Sequence, residues 1–310
     1  MGLLDRRLVV VLGKGGVGRT TVAAALGLAA ARRGRRALVV EVAGQSRLPR
    51  MFGAEARAEG AETPLLPGLA SLSIRPQRVL EEYLILTLKV RAVAERLADS
   101  RAIGYLTAAA PGLRELVTLG KVWHLTEQTL HDGSPRYDLV VVDAPATGHG
   151  IGLLRTPRQY AEIARAGRVG EEARAVDALV TDRSRTGILL VTLAEEMPVN
   201  ETIDALGRLR EVGLDADCAI VNALAADLFS EGEEAALRGL AVAGETGAAA
   251  VEAALSQIAR RHEQSSELAR LREGIDIPLV ELPLLSVPAL DPDAVVQLAE
   301  RLAAGLEALR

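Results

Sequence analysis

The chain has 310 residues, of which 49% are hydrophobic and 25% charged, so it can bury a sizeable core and falls outside the disordered and low-complexity classes. Its net charge of −5 argues against nonspecific binding to nucleic acid or anionic membrane, and aromatics at 2% leave little to stack on bases. The single cysteine, Cys218, excludes an intrachain disulfide and a cysteine-built zinc site.

Residues 8–12 (LVVVL) form a short, uninterrupted apolar run, the pattern of a strand buried on both faces. A glycine-rich turn follows, and residues 20–32 (TTVAAALGLAAAR) read as a helix. Further buried strands are predicted at 37–42, 72–74, 137–143, 187–193, 218–221 and 278–282, with helical stretches between them. Strand alternating with helix predicts an α/β fold with a mostly parallel sheet flanked by helices. Two mostly helical insertions, at about 77–131 and 226–272, exceed that unit and read as one helical subdomain; the first contains an apolar helix over 78–99. Residues 291–310 carry apolar positions at helical spacing and read as a terminal helix packed on the sheet. The whole, 1–310, reads as one domain. The apolar run near the N-terminus is too short for a signal peptide, and no uncharged run reaches the roughly 18 residues of a membrane span, so a soluble cytoplasmic protein is expected.

The turn Gly13-Lys14-Gly15-Gly16-Val17-Gly18-Arg19-Thr20-Thr21 lies between the first strand and the first helix. That is the setting of a phosphate loop: glycines let backbone N–H groups surround a polyanion, and the helix start adds unpaired N–H groups and a positive dipole end. Thr20 stands where a hydroxyl can bind Mg²⁺. The pattern GxxxxGK[ST] would put lysine where this chain has Arg19, which keeps the charge on a longer, planar fork. Only three of the 36 basic residues are lysine (Lys14, Lys89 and Lys121), so the lysine retained at position 14 stands out.

With Lys14 before paired glycines, the loop resembles the deviant Walker A motif of the P-loop ATPases that include the arsenical-pump, guided-entry and nitrogenase-iron-protein families. Residues 137–154 (YDLVVVDAPATGHGIGLL) resemble the switch II segment of the arsenical-pump and guided-entry ATPases, whose D-x-x-x-TGH pattern matches Asp143 through His149. Residues 73–76, 80–84 and 111–115 resemble further passages of that family. The resemblance spans nearly the whole chain and looks closest to single-half bacterial members. It implies a P-loop NTPase fold, ATP and Mg²⁺ as ligands, Asp143 and Thr20 at the metal, and Lys14 acting across a dimer interface. It also implies nucleotide contacts at Glu195, at Asn222 through its amide, and at Pro283. His149 reads as a switch-loop histidine rather than a catalyst. Either a homodimer or a heterodimer with a paralogous ATPase is expected, working on a client protein or membrane partner, with no nucleic acid.

Ala43 marks a departure, because it falls where the family carries a switch I aspartate that orients the attacking water. Alanine can neither orient nor deprotonate water, which leaves Glu41 and Gln45 as the nearby polar candidates. The chain also lacks the CxxC of guided-entry dimers and the cysteine triad that binds arsenite. Three readings follow: a dimeric, slowly hydrolysing ATP-driven switch; a pseudo-ATPase subunit paired with an active paralogue; and a targeting factor for tail-anchored membrane proteins.

Overall fold

A computed structural model describes residues 2–42, 46–88, 111–164, 167–240 and 245–309. Strand β1 (Leu8–Gly13) is buried along its full length. Leu8, Val10 and Leu12 enter one apolar cluster while Val9 and Val11 enter the other, so successive side chains feed two separate cores. The same two-sided burial holds β2 (Ala37–Val42). β5 (Leu139–Asp143), β6 (Thr186–Leu193) and β7 (Cys218–Leu224) are likewise buried along almost all of their length. The remaining strands are β3 (Thr63–Leu66), β4 (Leu69–Ile74) and β8 (Leu279–Pro283).

These strands make one sheet in the order β3-β4-β2-β5-β1-β6-β7-β8. Every pairing is parallel except the β3–β4 hairpin at the edge. The sheet turns over at β1, which sits between β5 and β6, and in open α/β sheets ligands gather beyond the carboxyl ends of strands at such a point.

One face is covered by α1 (Arg19–Arg32) and α10 (Pro292–Ala308), which pack against each other. Gly27 lets α1 approach closely, since a Cβ there would stand 2.5 Å from Val39 Cγ2. A short helix, α2 (Leu48–Met51), adds Leu48 and Met51 to this core. The opposite face carries α3 (Pro76–Leu88), α4 (Leu113–Glu127), α5 (Thr147–Ile163), α6 (Arg168–Thr181) and α7 (Glu196–Glu211). Beyond α7 lie α8 (Glu231–Gly239) and the long α9 (Glu245–Gly274). The first insertion packs through α4 onto α5 and α6, and the second through α9 onto α7. No helix among the described residues is long and apolar enough to cross a membrane.

The expected α/β architecture is the one observed, with two local corrections. The strand read at 72–74 is the end of β4, paired with an unanticipated β3 whose residues alternate between buried and exposed. The run ending at Val221 continues as strand to Leu224. The helix expected over 78–99 starts at Pro76; its continuation past residue 88 lies outside the described residues, as do Ala43, Gln45 and Lys89.

Candidate functional site

The parallel arrangement brings the carboxyl ends of β1, β2, β5, β6, β7 and β8 to one edge. Gly13, Lys14, Gly15, Gly16, Val17 and Gly18 form the turn out of β1, and Arg19, Thr20 and Thr21 open α1. Val17 is buried and pins the middle of the turn to the core, whereas Gly15 and Gly16 are exposed with open space where a Cβ would be. Gly13 lies against β6, where a Cβ would come 2.3 Å from the Val191 carbonyl oxygen. The first turn of α1 has no acidic residue and no side-chain cap. Its unpaired N–H groups and dipole end are therefore not neutralised locally, which suits an anion.

Gly18 has φ +90°, and a Cβ on it would stand 2.2 Å from Asn222 Nδ2. Gly18→Ala is expected to cost about 1–3 kcal/mol in urea unfolding, while Gly15→Ala, with nothing within 4 Å, should leave stability unchanged. Equal midpoints for the two variants would contradict this account of the loop.

Next to the loop, the Thr20 hydroxyl donates to Asp143 Oδ2 at 2.5 Å. Burial pushes the Asp143 carboxyl above the ordinary aspartate range, opposed by the Thr20 hydrogen bond and by Arg19 and Arg47. Arg19 donates to the Ala144 carbonyl, so its guanidinium is engaged by the segment after β5, and burial lowers its pKa. Glu41 pairs with Asp143 in the β2–β5 register and is buried. Its Oε1 accepts from the Arg47 N–H at 2.9 Å, while Oε2 has no hydrogen-bond partner among the described residues. Burial first, and the Asp143 charge as well, push Glu41 up to about 7 against the Arg47 hydrogen bond. Two acids and a hydroxyl thus converge beside a glycine loop, a hard-oxygen set of the kind Mg²⁺ takes together with waters.

The other expected positions are distributed around this edge. Lys14 makes an ion pair with Glu201 of α7 at 3.0 Å, both half-exposed. Asn222 is buried, and its Nδ2 donates to the Val17 carbonyl at 3.0 Å, so its amide supports the loop. Glu195 is exposed at the N-cap, just before α7, and Pro283 ends β8. His149 is exposed in the first turn of α5, where Gly150 packs so closely on Leu12 that a Cβ would stand 2.6 Å from Leu12 Cδ2. Thr147, the first residue of α5, has a buried hydroxyl with no hydrogen-bond partner among the described residues. Such an orphan beside a ligand-type loop fits a group that a ligand or water completes. Glu201 and Arg47 carry no local sequence signal; only the fold brings them to the loop and to Glu41.

The family model for "Anion-transporting ATPase" matches residues 6–166 and 161–237. The chain is 31% identical over 325 aligned positions to "ATPase BagA" of Mycobacterium tuberculosis, covering 96% of this chain and 92% of that protein. It is 26% identical to the "Arsenical pump-driving ATPase" of Acidiphilium multivorum over 71% of this chain and 40% of that protein. The Escherichia coli protein of the same description is also 26% identical, over 68% of this chain and 38% of that protein.

Proposed function

This chain belongs to the anion-transporting ATPase family, and we propose that it is a nucleotide-driven switch that binds MgATP at the β1–α1 loop and hydrolyses it slowly. The observation that carries this reading is the Thr20–Asp143 contact at 2.5 Å beside a loop whose exposed glycines leave room for phosphate. The loop and the α1 N–H groups bind the phosphates, with Arg19 as the cation of the loop. Thr20 and Asp143 hold Mg²⁺, which when bound supplies positive charge to the phosphate oxygens. Glu41, buried beside Asp143 with a free oxygen, is the candidate to orient water in place of the carboxylate missing at position 43. Lys14 serves the nucleotide of a second subunit, the same chain or a paralogous ATPase. To do so it must leave Glu201, and an ion pair this exposed opposes that by no more than about 1 kcal/mol. The helical layers α3–α4 and α8–α9 form the surface offered to a client.

A second reading, a pseudo-ATPase subunit completed by an active paralogue, is favoured by Arg19. Its guanidinium is occupied by the Ala144 carbonyl, and a fork of that length is not the lysine the chemistry ordinarily uses. One experiment separates the two. Calorimetry with MgATP and MgADP tests binding, and phosphate release is then compared between wild type and the Arg19→Lys, Ala43→Asp double variant. Binding with slow wild-type turnover that rises at least about tenfold in the double variant is the expected result. Absence of binding sinks both readings; binding with no turnover in either protein leaves only the second.

A further inference from the structure

Residues 222–225, at and just past the end of β7, bond to three separate parts of the protein. Asn222 Nδ2 donates to the Val17 carbonyl of the glycine loop at 3.0 Å. The Leu224 carbonyl accepts from the Leu284 N–H, just past β8, at 2.8 Å. Ala223 and Ala225 are both held by one side chain, Gln264 of α9. Its Nε2 donates to the Ala223 carbonyl at 3.2 Å and its Oε1 accepts from the Ala225 N–H at 2.8 Å. Gln264 is 3% exposed, on a helix that is otherwise buried only at Ile258, Leu268 and Leu271.

Ala223, whose carbonyl takes one of these two bonds, has φ +55° and is the one non-glycine residue with positive φ among the described residues. An alanine holds that conformation only where its surroundings over-determine it. The Gln264 amide grips the two peptide groups that flank Leu224, the first of which joins Ala223 to Leu224, and so fixes the strained residue on its C-terminal side. A buried glutamine satisfied at both ends also fixes the register of its helix against the segment, because shifting either would leave polar groups unpaired. Since Asn222 adjoins the strained residue and supports Val17, the position of the loop and the position of α9 are set by the same four residues.

We propose that Gln264 is a positioning residue that couples the phosphate loop to α9, so that any movement of Asn222 is passed to the outer helical layer. This deepens the reading of a nucleotide-binding loop and rests on it only for the second arm of the test. In the ligand-free protein, hydrogen exchange is compared between wild type, Gln264→Met and Gln264→Glu. Methionine fills the space without either bond, and glutamate keeps the acceptor for Ala225 but loses the donor to Ala223. Exchange at 14–20 and at 222–226 is expected to quicken at least about fivefold in Gln264→Met and less in Gln264→Glu, with α7 unchanged. In the second arm, MgADP should alter exchange along 254–274 in wild type and not in Gln264→Met, although that variant still binds it. Unchanged exchange at 14–20 in both ligand-free variants overturns the coupling; should the methionine variant fail to fold, the glutamate variant decides alone. An α9 response that persists in Gln264→Met also overturns it. Absence of MgADP binding to wild type would defeat the nucleotide reading, while the ligand-free arm would still decide the coupling.

Discussion

Asp143→Asn is expected to weaken MgATP binding about 10- to 100-fold while leaving nucleotide binding in EDTA nearly unchanged, because a charged partner of the metal is replaced by a neutral one of the same shape. The ligand-free protein should not suffer. Asparagine can still accept the Thr20 hydroxyl hydrogen that Asp143 Oδ2 now takes at 2.5 Å. It also removes a carboxyl whose ionised form is disfavoured by burial. The variant should therefore unfold at the same temperature as wild type or higher at pH 8, with function and stability moving in opposite directions as at many binding sites. Thr20→Ala is the complementary test: it removes a donor from Asp143 and a candidate metal oxygen together, and should lose both some stability and the magnesium dependence. Calorimetry with and without Mg²⁺ on the three proteins measures this. Equal MgATP affinity for wild type and Asp143→Asn would remove Asp143 from the metal.

What the sequence made legible was whatever local pattern encodes. Mostly apolar runs without polar alternation marked β1, β2, β5, β6 and β7, because strands buried on both faces need none. The glycine loop and Asp143 were legible for a related reason: they end such runs, and the ends of parallel strands share one edge. The hairpin strand β3 was missed because its short TPLL run contains Pro64 and alternates on an exposed edge, where proline is tolerated and burial is half complete. The end of β7 was misjudged because Asn222 interrupts the apolar run, although its side chain is satisfied by the Val17 carbonyl 205 positions away. The contacts that set the state of the site are all of this kind: Lys14 on Glu201, Arg19 on the Ala144 carbonyl and Gln264 around Ala223. Each depends on the order of strands in the sheet, which periodicity does not carry. Glu41 lies between, since an acid inside the run ALVVEV already breaks the pattern, but its neighbour Asp143 appears only once β2 and β5 are paired.

That pairing makes Glu41 the dominant pH sensor expected of the ligand-free protein. Its carboxyl is pushed from an ordinary 4.5 up to about 7, by burial first and with Asp143 adding to it. The folded state therefore keeps a proton that the unfolded chain has released, and stability falls as pH rises wherever the folded state binds more protons. Below about pH 4.5 the group is protonated in both states and its contribution is fully present; it is lost progressively as pH rises to about 7. The loss across that window is on the order of 3 kcal/mol. Asp143, also raised, changes stability in the same direction. Urea midpoints from pH 5 to 8 should thus fall steadily in wild type, and Glu41→Gln, whose Oε1 can still accept from the Arg47 N–H, should flatten most of the slope and be the more stable protein at pH 8. Parallel slopes for the two would show that Glu41 ionises freely. A cation bound beside Asp143 relieves the same cost, so saturating Mg²⁺ with nucleotide should flatten the wild-type slope too, which ties the acidic pair to the ligand rather than to the stability of the empty fold.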